Sequence, residues 1–321
     1  MQVAILGLGK MGRNIADKLM EEHHVVVWNR SHEPLEKIRL EKSDAIVNQK
    51  LSICRTLSEV RETLSKPRVI WSMLPSGEPT ESVLQELNEG LDPGDIIIDG
   101  GNAFYKDTEK RYAFYSQKGI KFLGIGVSGG VHGFTNGYPM MIGGDQGGYD
   151  YIKPMLDTLA KPHGGHTFFG TGGAGHFVKM VHNGIEYGMM QAIAEGMGVL
   201  AKSNYKINLV NAGNNWQRGS IVSSFLMWIT VSALIKDPTL SQFDGYIDAK
   251  GEGQWTVDTA KEMGIPIPVI EQALEFRKKS QYDQAVQETV VAKLVAAMRH
   301  EFGGHEIHKF TREPIENKPT Q

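Results

Sequence analysis

A glycine-rich loop between two apolar segments is the feature that most limits how this chain can fold. Val3–Leu6 has the pattern of a short buried strand, the sequence GLGKMG follows at residues 7–12, and Arg13–Glu21 has the apolar spacing of a helix. His24–Trp28 has the pattern of a second strand. Strand, G-x-G-x-x-G, helix and strand in this order predict a dinucleotide-binding unit, because the glycines let a pyrophosphate approach the backbone at a helix N-terminus.

The end of the second predicted strand indicates which dinucleotide binds. An acidic residue at this point binds the ribose 2′-hydroxyl of NAD. Here the sequence is Asn29-Arg30-Ser31, with no acid. The guanidinium of Arg30 can pair with a 2′-phosphate, and its two neighbours can donate hydrogen bonds to the same group. We therefore expect NADP as the cofactor, with NAD as the alternative.

Further strands are predicted at 68–73, 95–99 and 121–126, and additional ones at 138–143 and 167–169. Parallel strands of this kind place their following loops at one edge of the sheet, where ligands bind. The loop after residue 126 offers a hydroxyl and successive backbone N–H groups, which suit a carboxylate. Asn102, in the loop after residue 99, is placed to contact both cofactor and substrate. The residues predicted to contact the cofactor are Gly7, Leu8, Gly9, Lys10, Met11, Gly12, Asn29, Arg30, Ser31, Met73, Leu74, Pro75 and Asn102.

A change of pattern near residue 170 divides the chain. Residues 1–170 alternate strands and helices, which predicts an α/β domain with a Rossmann-type, doubly wound, mostly parallel sheet. Residues 171–310 are almost entirely helical in pattern, which predicts an all-α domain. Its role in substrate binding and dimerisation is implied by the family resemblance given below. Residues 311–321 form a polar tail with two prolines. A length of 321 residues suits two domains of this size.

Composition excludes several classes of protein. A net charge of −3 provides no excess of positive charge that would attract nucleic acid or an anionic membrane. Cys54 is the only cysteine, so neither an intrachain disulfide nor a cysteine-rich metal site can form. The N-terminal sequence lacks the pattern of a signal peptide, and the uncharged run 219–235 is short for a membrane span and is predicted to be a buried helix. We expect a cytoplasmic protein.

One helical segment, Gly172–Gln191, concentrates polar groups on one face. Five of its side chains recur at helical spacing, namely Lys179, His182, Asn183, Glu186 and Tyr187. Taken singly, residues of these types are more often solvated or packed than catalytic. Together they form a face that is neither apolar, as a packed face would be, nor a simple mixture of lysine and glutamate. A lysine and a carboxyl two turns apart can act as base and acid on one substrate.

These features resemble the decarboxylating 6-phosphogluconate dehydrogenases, in a short form that lacks part of the duplicated helical domain. The resemblance is carried in chain order by GLGKMG, NRS, IIIDGGNAFYKDT, GVSGG, GHFVKMVHNGIEYG, WQRGSI, KGEGQW, GIPIPVIEQALEFR and RHEFGGH. The segment SMLPSG at 72–77 looks more like the loop of related β-hydroxyacid dehydrogenases. Gln254 and Met189 replace polar residues that are common in longer members of the family.

The resemblance implies a step of the pentose phosphate route. Hydride leaves C3 of 6-phosphogluconate, the β-keto acid loses carbon dioxide, and the enediol becomes ribulose 5-phosphate. Lys179 matches the family's base, which takes the C3 hydroxyl proton and must be neutral to do so, with a pKa below the usual value of about 10.4. Glu186 matches the acid that protonates the enediol carbon, and its pKa should be raised. No metal is implied, because a β-keto acid supplies its own electron sink.

The same resemblance implies how the substrate is held. The implied substrate-binding residues are Asn102, Ser128, Gly129, Gly130, His182, Asn183, Tyr187, Lys250, Arg277, Arg299 and His305. His182 and Asn183 would orient substrate oxygens, and the last group would surround the phosphate with cations. In the family, the equivalents of Arg299 and His305 come from the neighbouring subunit, which implies a homodimer or a dimer of dimers.

Two other functions fit parts of the sequence. A β-hydroxyacid dehydrogenase without decarboxylation would share the glycine-rich loop, Lys179 and Asn183. It would not need the basic residues at 250, 277, 299 and 305, and their presence argues against it. A dinucleotide-binding regulatory protein without catalytic activity could also retain the fold. The presence of both Lys179 and Glu186 argues against that second alternative.

Overall fold

In a computed structural model, the protein is described over residues 1–249 and 251–304. Its first unit is built around one eight-stranded sheet with the strand order 3-2-1-4-5-6-7-8. The strands are β1 Gln2–Leu6, β2 His24–Trp28, β3 Leu51–Ile53, β4 Val69–Ser72, β5 Ile96–Asp99, β6 Lys121–Val127, β7 Pro139–Gly144 and β8 Gly165–Gly170. Neighbouring strands are parallel except for the antiparallel pair β6 and β7. The predicted α/β class with a mostly parallel sheet is confirmed.

Helices connect these strands in the first unit. They are α1 Lys10–Leu19, α2 His32–Glu41, α3 Ser43–Val47, α4 Leu57–Thr63, α5 Glu78–Asn88, α6 Tyr105–Ser116, α7 Gly133–Asn136 and α8 Gln146–Ala160, with a short 3-10 turn at Gly130–His132. Buried apolar side chains fill both faces of the sheet, as parallel strands covered by helices require. The carboxyl ends of β1, β2, β4, β5 and β6 therefore lie along one edge, and the loops after them form one continuous rim.

The sequence predicts seven of the eight strands. All seven predicted strands form. The strand at 24–28 has the predicted bounds, and the ends of the other six are shifted by at most two residues. β3 was not predicted, because its three residues are too few to show an alternating pattern and lie at the edge of the sheet. Cys54, which follows β3, is buried.

The second unit is helical, as predicted. It contains the later part of α9 Ala174–Lys202, followed by α10 Leu209–Trp216, α11 Phe225–Lys236, α12 Glu252–Glu262, α13 Pro268–Ser280, α14 Gln284–Gln287 and α15 Val290–Gly303. One core joins side chains of α9, α11, α12, α13 and α15. Only the second part of the uncharged run 219–235 is helical, in α11, whose residues are largely buried. Among the helices described, none is long and apolar enough to cross a membrane.

The chain divides into two compact units within the residue range of α9, between Asn183 and Gly184. The boundary predicted at residue 170 marks instead the end of β8, where strands give way to helices. The division into a cofactor domain at 1–170 and a substrate domain at 171–310 stays a prediction. The predicted polar tail at 311–321 lies outside the described residues.

Candidate active site

The loop between β1 and α1 has the backbone shape that a pyrophosphate requires. Gly7 has φ +99°, and a Cβ atom there would lie 2.7 Å from the carbonyl oxygen of Met73. A Cβ on Gly12 would overlap the carbonyl oxygen of Gly7. Gly9 precedes the first turn of α1 and faces open space, with nothing within 4 Å of an added Cβ. The start of α1 therefore has room for an anion at Gly9, and the loop fits a dinucleotide.

Asn29 ties this loop to the end of β2. Its side-chain oxygen accepts a hydrogen bond from the backbone N–H of Leu8 at 2.9 Å. Its amide nitrogen donates to the carbonyl oxygen of Ser31 at 3.0 Å and to the hydroxyl of Ser31 at 2.9 Å. Asn29 therefore has a positioning role in this structure. Arg30 is exposed, and the hydroxyl of Ser31 accepts in its contact with Asn29 and can still donate, so both fit the predicted contact with a 2′-phosphate.

The other predicted cofactor residues follow the same rim. Lys10 and Met11 lie in the first turn of α1, Met73, Leu74 and Pro75 follow β4, and Asn102 follows β5. A Cβ on Gly101 would lie 2.6 Å from the carbonyl oxygen of Leu74, so the loops after β4 and β5 are packed directly against each other. These placements are consistent with cofactor contacts, which remain a prediction.

A buried ion pair behind this rim was not predicted from the sequence. Asp99, the last residue of β5, is 1% exposed and accepts hydrogen bonds from Arg111 Nη1 at 2.6 Å and from the backbone N–H of Gly101 at 3.1 Å. Arg111 also pairs with Glu81. The carboxylate of Asp99 thereby fixes the turn that presents Asn102. An acid at a strand end before two glycines is the sequence signal that could have indicated this role.

Three residues predicted for catalysis and substrate binding form one cluster on α9. The Nζ atom of Lys179 donates to Asn183 Oδ1 at 2.8 Å and lies 3.4 Å from His182 Nδ1. His182 Nδ1 lies 2.9 Å from Asn183 Oδ1, and His182 Nε2 lies 3.3 Å from the hydroxyl of Ser128. These contacts fit a neutral imidazole that donates from Nδ1 and accepts at Nε2.

The charges of the cluster agree with that protonation state. Burial lowers the pKa of His182, the positive charge of Lys179 lowers it further, and the hydrogen bond to Asn183 acts in the opposite direction. Lys179 is 7% exposed. The role of Lys179 as a base, which needs the neutral amine, stays a prediction.

The side chain of Lys179 packs against β6. A Cβ atom on Gly126 would overlap the Cβ and Cγ atoms of Lys179. The strand continues into Ser128, Gly129 and Gly130, and Gly129 and Gly130 both have positive φ, at 98° and 52°. Gly126 belongs to the site and was not among the predicted residues, because its role depends on the position of α9 over the strand.

The second unit holds a separate group of predicted residues. The Cζ atom of Arg277 lies 3.2 Å from the centroid of the Tyr187 ring. Arg277 is 2% exposed, and no carboxylate of the described residues lies within 4 Å of its guanidinium. Burial lowers the pKa of Arg277 to about 10. Arg299 Nη2 lies 3.8 Å from Asp248 Oδ2 in the same chain. Lys250 and His305 lie outside the described residues.

Glu186 lies on α9 in the second unit. It is seven residues beyond Lys179 and therefore nearly two turns away on the same side of the helix. Its negative charge raises the pKa of Arg277, which places it electrostatically near the guanidinium. No group of three or more metal-ligating side chains occurs in the part of the chain that the structure describes.

The fold and the loop at Gly7–Gly12 define a Rossmann-type dinucleotide-binding protein. The NAD-binding domain of 6-phosphogluconate dehydrogenase matches residues 2–173, and the C-terminal domain of the same enzyme matches residues 175–285. The chain belongs to the 6-phosphogluconate dehydrogenase family.

Individual relatives agree with this assignment. A putative 6-phosphogluconate dehydrogenase of Bacillus subtilis is 37% identical over 310 residues, which cover 96% of this chain and 100% of the relative. An NAD(+)-dependent, decarboxylating 6-phosphogluconate dehydrogenase of Haloferax volcanii is 32% identical, with 96% and 98% of the two chains covered. The solved structure of Plasmodium falciparum 6-phosphogluconate dehydrogenase matches with a TM-score of 0.80 at 30% identity, covering 98% of this chain and 68% of that one.

Proposed function

We propose that this protein oxidises and decarboxylates 6-phosphogluconate to ribulose 5-phosphate and carbon dioxide. The observation that carries the proposal is the buried guanidinium of Arg277, which lies against Tyr187 without a carboxylate partner among the described residues. The negative charge of Glu186 acts on this guanidinium, and an anion that pairs with it directly would stabilise the buried cation further. A phosphorylated sugar acid supplies one at the end of the molecule opposite its carboxylate.

The residues on α9 provide the acid–base chemistry. A bound nicotinamide accepts hydride from C3 of the substrate. As hydride leaves, Lys179 takes the proton of the C3 hydroxyl, and its ammonium group then faces the new keto oxygen and withdraws electron density while the carbon dioxide leaves. Glu186 delivers a proton to the carbon that carried the carboxylate. Asn183 positions Lys179 and His182 through the hydrogen bonds described above. Asn183 and His182 also orient the substrate oxygens.

NADP is the proposed cofactor, with NAD as the alternative. The support is Arg30, which is exposed at the end of β2 in a segment without an acidic residue. Asn29 is occupied by the loop, so the preference rests mainly on the guanidinium of Arg30. The Haloferax relative carries NAD(+) dependence in its name, which keeps NAD as the alternative.

We also propose that the protein assembles as a homodimer or a dimer of dimers. The support is a row of exposed apolar and small residues on α9, formed by Ile185, Met189, Ala192, Gly196 and Val199. Val199, in the last turn of this long helix, is 71% exposed, and with its neighbours it forms an exposed apolar row. A second copy of the chain would cover this row. Light scattering of the purified protein and of Val199→Glu tests the assignment, and an unchanged oligomer in the variant would exclude this face.

The first test of the function is the absorbance of reduced nicotinamide, with 6-phosphogluconate and each cofactor in turn. We expect reduction with 6-phosphogluconate and faster turnover with NADP. A β-hydroxyacid dehydrogenase without decarboxylation would instead prefer short hydroxy acids that lack a phosphate. A non-catalytic binding protein would bind the dinucleotide and reduce none of it.

A further inference from the structure

The first turns of α9, ahead of Lys179, lie directly on the backbone of the sheet. A Cβ atom on Gly175 would overlap the carbonyl oxygen of Gly124 in β6, and one on Gly143 in β7 would overlap the backbone nitrogen of Gly175. Glycine at residues 143 and 175 permits this approach, so no side chain separates the helix from the strands. Side chains hold this part of α9 only from beside the sheet, and several of them belong to α6.

His176 joins this part of α9 to α6. It is 1% exposed, and its Nδ1 atom lies 2.7 Å from the hydroxyl oxygen of Thr108, which is fully buried. The same hydroxyl donates to the carbonyl oxygen of Phe104 at 3.4 Å, so it can accept a hydrogen bond from Nδ1–H. A Cβ on Gly124 would lie 2.9 Å from Nδ1, so glycine at that position leaves room for the imidazole. Both side chains are closed off from solvent, and neither is placed to touch a substrate.

Two further residues of α6 hold the same part of α9. Glu109 Oε1 accepts a hydrogen bond from the backbone N–H of Gly173 at 3.0 Å, where a negative charge suits the beginning of a helix. The rings of Tyr105 and Phe177 meet edge to face, with centroids 5.1 Å apart. Residues 173, 176 and 177 of the chain are therefore all fixed to one helix.

The turn that presents Asn102 is fixed to α6 as well. Asn102 precedes the first residue of α6, Tyr105, by three positions. Arg111, further along α6, pairs with Asp99, and Asp99 accepts from the backbone N–H of Gly101 in the turn itself. α6 thus connects the turn predicted to contact cofactor and substrate with the helix that carries the predicted base.

We propose that Thr108 and His176 are positioning residues of this active site, and that their hydrogen bond sets where Lys179 lies relative to the turn that presents Asn102. His176 precedes Lys179 by three residues, nearly one helical turn, so a shift of the imidazole displaces the lysine with it. The inference rests on the proposed function, because it takes Lys179 as the base. A role in packing alone predicts a loss of stability, whereas a positioning role predicts a loss of turnover in a protein that is still folded.

Thr108→Val tests the proposal, because valine keeps the shape of threonine and removes the hydroxyl. We expect kcat with 6-phosphogluconate to fall by about 10- to 100-fold, since a misplacement of about 1 Å can cost the larger factor. KM and the dissociation constant of the cofactor should stay at their wild-type values. The isotope effect on kcat with substrate deuterated at C3 should rise, because hydride transfer becomes slower. Thr108→Ser retains the hydroxyl and should recover most of the lost turnover.

A second buried pair of the same kind provides a matched control. His23 Nε2 lies 3.0 Å from the hydroxyl of Thr158, both side chains are buried, and His23 precedes β2 at the edge of the sheet opposite the cofactor loops. Thr158→Val should lower stability in urea unfolding and leave kcat unchanged. Three results would overturn the proposal, namely unchanged kcat in a folded Thr108→Val protein, equal losses of kcat in both valine variants, or a Thr108→Ser protein as slow as Thr108→Val.

Chemical labelling provides a measurement that does not depend on turnover. An acetylating reagent modifies each lysine at a rate set by the accessibility of its amine, and peptide mass spectrometry reports every site separately. Lys179 and Lys18 are 7% and 5% exposed, so both should react slowly in the wild type. Thr108→Val should raise the rate at Lys179 severalfold and leave Lys18 unchanged. An unchanged rate at Lys179, or an equal rise at both lysines, would overturn the proposal.

Glu109→Ala replaces Thr108→Val if the buried substitution prevents folding. Glu109 is exposed, so its replacement leaves the core intact and removes the acceptor for the N–H of Gly173. A fall in kcat together with faster labelling of Lys179 supports the proposal, and no change in either overturns it. If the wild-type protein does not turn over 6-phosphogluconate, the proposed function fails. The labelling of Lys179 then decides by itself whether α6 positions this lysine.

Discussion

The Nζ atom of Lys179 lies 2.8 Å from the Oδ1 atom of Asn183, one helical turn further along α9. The same oxygen lies 2.9 Å from His182 Nδ1, so one amide oxygen fixes both the lysine and the imidazole. Because all three residues belong to one helix, their mutual geometry depends on few other parts of the fold. This relationship makes Lys179 the residue whose replacement should affect chemistry most selectively.

Lys179→Met should lower kcat by about 10²- to 10⁴-fold, the usual contribution of a general base, and leave the dissociation constant of the cofactor unchanged. Methionine keeps much of the buried volume and removes the titrating amine. Lys202→Met, an exposed lysine at the end of the same helix, is the matched control and should turn over normally. Retention of more than about a tenth of wild-type turnover would exclude Lys179 as the base.

Gly126→Ala should displace Lys179, because the added Cβ would overlap the lysine side chain while β6 is held by strands on both sides. We expect a loss of stability of about 1–3 kcal/mol, the cost of overpacking, together with a fall in kcat at unchanged cofactor affinity. Gly165→Ala is the control, since a Cβ there meets nothing within 4 Å. Urea unfolding and steady-state kinetics measure the two effects. Full activity in a stable Gly126→Ala protein would contradict the placement.

Arg30→Ala should weaken NADP binding much more than NAD binding, because NADP alone carries the 2′-phosphate. A charged hydrogen bond contributes roughly 1.5–3 kcal/mol, which corresponds to about 10- to 150-fold in affinity. Arg39→Ala, which removes an exposed arginine of α2 that pairs with Glu36, should change neither affinity. Equal losses for both cofactors would show that Arg30 does not recognise the phosphate, and a wild-type preference for NAD would reject the cofactor proposal.

Stability should fall as the pH is lowered from 7 towards 5, partly through His176. This residue is fully buried, its Nδ1 atom lies 2.7 Å from the hydroxyl of Thr108, and burial lowers its pKa. Below about pH 6.5 the unfolded chain binds a proton that the folded protein excludes, so the unfolded state gains stability, by at most about 1.4 kcal/mol per pH unit. His176→Gln should show a shallower decline in urea unfolding, whereas His163→Gln, at an exposed position, should follow the wild type. Parallel declines for wild type and His176→Gln would exclude this contribution.

The parts of the fold that the sequence predicted are those set by local pattern. The strand, glycine-rich loop and helix at the N-terminus form as predicted. The φ value of Gly7 and the close approach of Gly12 to the carbonyl oxygen of Gly7 both involve residues that are near each other in the sequence. The polar face of α9 could likewise be predicted, because Lys179, His182 and Asn183 lie within one turn of a single helix.

The parts that the sequence could not predict depend on distant segments. The ion pair of Arg111 with Asp99 joins a helix to a strand. Nothing in the sequence around either residue indicates that the other is its partner. The contact of Gly126 with Lys179 requires α9 to cross β6. The stacking of Arg277 on Tyr187 joins residues 90 positions apart, so the sequence could offer both as phosphate contacts only through family resemblance.

The central claim is that oxidation and decarboxylation occur together, and the stoichiometry of the products tests it most directly. 6-Phosphogluconate labelled with ¹³C at C1 is incubated with NADP, or with NAD, and labelled carbon dioxide and reduced nicotinamide are measured in the same sealed sample. The account predicts one molecule of labelled carbon dioxide for each reduced nicotinamide, with both products absent in Lys179→Met. Reduced nicotinamide without labelled carbon dioxide, or no reduction with either cofactor, would contradict it.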